Sequence, residues 1–75
     1  MNSDHHVRSL VGKLSRALGS DLADFVFEDN VLTLYMRFPV GASDRKLIKA
    51  LALDSLSKCR VKFDSRNFLI KISLS

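Results

Sequence analysis

Seventy-five residues, 47% of them apolar, hold material for one hydrophobic core and a single domain spanning 1–75. No run of about 18 apolar residues occurs, which excludes a membrane-spanning helix, and a single cysteine excludes an internal disulfide. The net charge of +4 conceals an imbalance: residues 1–44 carry four basic and six acidic side chains, residues 45–75 eight and two, a lopsidedness that points toward an anionic partner.

The opening Met1-Asn2-Ser3-Asp4-His5-His6 has no basic stretch followed by an apolar one, so the expected location is the cytoplasm, or the nucleoid or nucleus for a nucleic-acid binder. His5 and His6 point in different directions on a helix and no distal cysteine or histidine completes a metal site, so they read as a solvated terminus and no metal is expected. Val7, Leu10, Val11, Leu14 and Leu18 then recur at helical spacing and predict an amphipathic helix. Ser3 or Asp4 is placed to cap its start, and Gly19 to close its end in the left-handed region. Gly12 costs about 1 kcal/mol relative to alanine inside a helix and suggests close packing.

Two strands follow. Asp21 to Glu28 sets Ala23, Phe25 and Phe27 on one side and Asp24, Val26 and Glu28 on the other. Val31 to Phe38 sets Leu32, Leu34, Met36 and Phe38 against Thr33, Tyr35 and Arg37. Asp29-Asn30 between them suits a tight hairpin, because both residues tolerate positive φ. Pro39 and Gly41 end the second strand. Ser43 is the expected N-cap of a helix from Asp44 to Ser57, whose broad apolar face (Leu47, Ile48, Leu51, Ala52, Leu56) predicts the more buried of the two helices. The segment ahead of it, followed by Arg45-Lys46, has an anion site's free N–H groups. Asp44 and the spacing favour ordinary capping instead.

A third strand alternates Cys59, Val61 and Phe63 with Arg60, Lys62 and Asp64. A fourth alternates Phe68, Ile70, Ile72 and Leu74 with Leu69, Lys71 and Ser73, after a turn at Ser65-Arg66. Cys59 reads as a small core residue rather than a reactive thiol.

The order αββαββ predicts an α+β fold: a four-stranded antiparallel sheet, strand order 3-4-2-1, with both helices packed on one face. This arrangement resembles a ferredoxin-like sandwich with its first strand moved to the end, a permuted ferredoxin-like topology; the likeness is one of topology and implies no function.

The sheet's outer face is the most informative feature. Arg37, Arg60, Lys62 and Lys71 are candidate phosphate contacts and Tyr35 a candidate stacking residue, the elements that sheet platforms combine to bind single-stranded RNA or DNA. A single aromatic and the absence of the RNA-recognition and K-homology motifs weigh against those particular folds. The leading expectation is therefore a small non-enzymatic nucleic-acid-binding or nucleic-acid-associated domain. The alternative is a protein-interaction or homodimerisation module that docks through Val26, Tyr35 and Leu69 or through an edge strand. Catalysis is not expected, since the histidines sit at the terminus, the serines and Cys59 have no evident base, and the chain is too short for a deep cleft. No cofactor is expected.

Overall fold

The five residues spaced for one helix face, Val7, Leu10, Val11, Leu14 and Leu18, are all buried in α1 (Asn2–Leu18) of a computed structural model that describes residues 2–74, and side chains from His5 onward. The expected caps Ser3 and Asp4 have side chains outside the described set. At the other end Gly19 adopts φ +58°, the left-handed geometry that stops the helix, and Gly19–Asp21 completes one 3-10 turn.

From there the chain runs through β1 (Leu22–Glu28), β2 (Val31–Met36), α2 (Ala42–Leu56), β3 (Cys59–Asp64) and β4 (Leu69–Leu74). All pairings are antiparallel and the sheet order is β1-β2-β4-β3, as the hydrophobic pattern predicts. The hairpin at Asp29-Asn30 is tight because both residues take positive φ, 51° and 62°, the twist that matches two right-twisted strands.

The core is one layer deep between sheet and helices. Leu32 and Leu34 of β2 sit beside Ile72 and Ile70 of β4, and all four are fully buried. Against them pack the α1 stripe and Ile48 and Ala52 of α2, with Leu22, Phe27, Leu51, Leu56, Cys59, Val61 and Phe63 closing the margins. Burial pushes the Cys59 thiol up, away from the thiolate form, in keeping with a packing role. Among the described residues no helix is long and apolar enough to cross a membrane.

Five local expectations need correction. A register shift between Leu22 and Asp24 forms a bulge at Ala23. It turns Leu22 inward and leaves Ala23 exposed, where strict alternation assigns the opposite. Strand β2 stops at Met36, because the Arg37 N–H donates to the Asp21 carbonyl (2.8 Å) beyond the ladder; Phe38, expected on the core face, is 62% exposed. Phe68 precedes β4 at φ +55° and is largely exposed rather than inward. Helix α2 starts two residues early, with extended Gly41 at its N-cap and Ser43 inside its first turn. It is also the less buried helix: only Ile48 and Ala52 are fully sequestered, and Leu47 and Leu53 face solvent.

Gly12 has room. A Cβ added there meets nothing nearer than the Arg16 guanidinium at 3.9 Å, an ordinary contact, so the residue does not serve close packing. Gly12→Ala is therefore expected to raise stability by about 0.5–1 kcal/mol through better helix propensity, read as a higher urea midpoint at unchanged slope. Leu34→Ala removes a fully buried side chain and should cost about 2–5 kcal/mol, whereas Phe38→Ser at the exposed strand end should stay within about 0.5 kcal/mol in the same titration.

Candidate nucleic-acid interface

One buried face per strand fixes what the opposite face displays. The ladder aligns the outward residues in three rows across the sheet: Asp24, Tyr35, Leu69 and Asp64; then Val26, Thr33, Lys71 and Lys62; then Glu28, Val31, Ser73 and Arg60. Acids occupy the β1 end of the first and third rows. Cations occupy the β3 end of the second and third.

Lys62 and Lys71 are directly opposite one another on β3 and β4, and both are exposed. Like charges at that separation destabilise a sheet. Their row neighbours, Thr33 and Val26, are uncharged. Arg60 lies one row away on the same strand and face.

Of the candidate contacts, the structure gathers Arg60, Lys62 and Lys71 into one patch and sets Tyr35, 40% exposed, diagonal to Lys71 and between Asp24 and Leu69. Arg37 does not join them. It lies past the end of β2, and its Nε donates to the Ser20 carbonyl at 2.7 Å, which turns it toward the end of the 3-10 turn. The alternative set stays together: Tyr35 pairs with Leu69, and Val26 is in the adjoining row.

Two cations reach β3 from the helix side: Arg45, which the sequence places only at the start of the second helix, and Lys49, which the sequence reading missed. The Arg45 guanidinium lies 5.4 Å from the Phe63 ring centroid and donates from Nη2 to Ser65 Oγ at 3.2 Å. The Lys49 ammonium stands 5.8 Å from the same ring. Both are cation–π distances. Their spacing of four along α2 was the available signal, since it places both on one helix face. Arg66, exposed in the β3–β4 turn, extends the band around the strand's end. That turn is organised by Asp64, which accepts from Asn67 Nδ2 at 3.0 Å and from the Asn67 backbone N–H at 3.2 Å. These bonds hold its carboxyl below the ordinary value and occupy it locally. Among the described residues the one ion pair joins Lys13 to Asp54 (3.5 Å) across the two helices; none is made by the cations around β3, where Asp64, next to Arg66, is the acid at hand.

The repulsion between Lys62 and Lys71 can be measured. Lys71→Glu is expected to stabilise the fold by about 0.2–1 kcal/mol at low salt, and the gain should shrink as added salt screens the new pair; urea titrations at two ionic strengths give both numbers. No family model matches this chain, and neither a curated protein nor a solved structure matches it significantly.

Proposed function

We propose that this protein is a non-enzymatic binder of single-stranded nucleic acid, which it holds along β3 and the adjoining outer face of β4. The observation that carries the reading is the Lys62–Lys71 pair. Lys62 and Lys71 stand directly opposite one another on exposed strand positions, and among the described residues neither makes an ion pair; Asp64 in the adjoining row is taken up by Asn67, and the band of exposed cations continues through Arg60 and Arg66 and over the edge to Arg45 and Lys49. A phosphate backbone supplies the missing charge, and binding releases its condensed counterions. Arg60, Lys62 and Lys71 are the phosphate contacts in this reading. Tyr35, diagonal to Lys71, offers a ring for one base to stack on. Asp24 beside Tyr35 and Glu28 in the third row turn the strand away from β1, so the path follows β3 and β4 rather than crossing the sheet. A single-stranded ligand fits better than a duplex because the platform is narrow and its one aromatic reads a base face, which a duplex hides.

A second reading, a protein partner seated on Val26, Tyr35 and Leu69, draws support from the adjacency of those three residues. Lys62 and Lys71 separate the two readings: Tyr35→Glu weakens either, but only the nucleic-acid reading also depends on the two lysines.

Fluorescence anisotropy with random single-stranded RNA, single-stranded DNA and duplex DNA at two salt concentrations tests the proposal. With about three phosphates neutralised, log Kd against log salt should have a slope of roughly 2 for single strands. Lys62→Ala/Lys71→Ala should lower that slope by about 1.4 and weaken binding across sequences, while Arg37→Ala should change little. Absence of binding by a folded sample at low salt overturns the proposal.

A further inference from the structure

We infer that the two edges of the sheet form a self-complementary pair, by which copies of this chain associate head to tail through β3 of one and β1 of the next. Three observations lead there. The first is direction. Each neighbouring pair in β1-β2-β4-β3 is antiparallel, so β1 and β3 run oppositely. A second copy set alongside in the same orientation therefore lays its β1 antiparallel to β3, and the sheet continues with the helices still on one face. Among the described residues both strands are unpaired on their outer sides, which leaves half their backbone groups available for such a ladder.

The second is charge. The bulge at Ala23 restricts regular pairing on β1 to Asp24–Glu28. Matched antiparallel to residues 58–62, that stretch sets Asp24 opposite Lys62, Val26 opposite Arg60 and Glu28 opposite Lys58, all exposed. Opposite charges facing across strands attract, and like charges repel. Pairing β3 with β3 sets at least one cation against another in each register, even where Asp64 meets Arg60, and β1 with β1 confronts acids with acids. The unlike edges fit best.

The third is the apolar seam below. On the helix side, α1 and β1 flank a groove lined by Val7, Val11, Phe25 and Phe27, and α2 and β3 flank another that includes Leu53 and Val61. The joint brings these grooves together. The same register places Phe25, 44% exposed in the single chain, beside Val61, and carries it toward Leu53, 53% exposed. A contact between unlike surfaces is heterologous, so the sheet's twist determines whether it closes into a ring or continues as a filament. The surface shares Arg60 and Lys62 with the nucleic-acid reading but does not rest on it; nucleic acid on β3 should compete with association.

Sedimentation velocity with light scattering over about 10 μM to 1 mM protein, at roughly 0.01 M and 0.5 M salt, tests this. The expected result for the unmodified chain is a mass that climbs with concentration at low salt, to twice the monomer or more, and falls back at high salt. Asp24→Lys/Glu28→Lys makes both edges basic and Arg60→Glu/Lys62→Glu makes β3 acidic, so each variant alone should remain monomeric. An equimolar mixture should associate again, because each edge then meets its opposite. Phe25→Ser, on the helix side of the joint and clear of the outer face, should weaken association and leave binding of single-stranded RNA in place, which separates this inference from the previous one. A monomer throughout the range in the unmodified chain overturns the proposal, as does assembly that neither reversal disturbs or a mixture that stays monomeric.

Discussion

The antiparallel register between β2 and β4 is the constraint on which this molecule depends. It sets Leu32 beside Ile72 and Leu34 beside Ile70, four fully buried side chains at the centre of the sheet. A slip of one residue would turn one strand over, sending either Leu32 and Leu34 or Ile70 and Ile72 to solvent and bringing Thr33 or Lys71 into the core, so apolar burial holds the register firmly. Everything on the far side follows from it. Thr33 meets Lys71, Tyr35 meets Leu69, and β3, fixed on the other side of β4, brings Lys62 opposite Lys71. The basic patch is thus a consequence of where the aliphatic residues must go.

Most of this architecture is legible in the sequence because a small domain has few ways to bury its stripes. Clean alternation in residues 31–36 and 69–74 identifies the central strands, and the i, i+3, i+4 stripe of α1 leaves one solution for its face. What escapes is set by single backbone events. The bulge at Ala23 breaks the period of two. The Arg37 N–H bonded to Asp21 ends β2 before Phe38. Extended Gly41 takes the cap position that Ser43 would suit by side-chain chemistry. Each is a choice between near-equal local conformations that tertiary contacts decide. The greater burial of α1 over α2 has a related cause: apolar residues around much of α2's circumference name no single face, and only Ile48 and Ala52 reach the interior.

The candidate site divides in the same way. Arg60, Lys62 and Lys71 belong to regular strand, where parity alone predicts their face. Arg37 does not, and its backbone leaves the ladder before its side chain can share that face. Arg45 and Lys49 are found through Phe63, a contact between α2 and β3 that no single segment encodes. The charge gradient along the sequence becomes a gradient across the sheet because β1 and β3, the first and third strands in the chain, end up at opposite margins. One margin inherits the acidic half of the chain and the other the basic half.

The placement of β4 also bears on how such a chain is made. The Leu74 N–H donates to the Asn30 carbonyl in the first hairpin's turn, and the Met36 N–H donates to the Phe68 carbonyl, so the last strand fastens both ends of β2. A ribosome extending this polypeptide exposes α1 and the first hairpin well before the strand that completes their sheet has emerged. Until then Leu32 and Leu34 lack their partners Ile72 and Ile70, and the first half has no finished core to fold around. Folding of the first half is therefore deferred until β4 has emerged to complete the sheet.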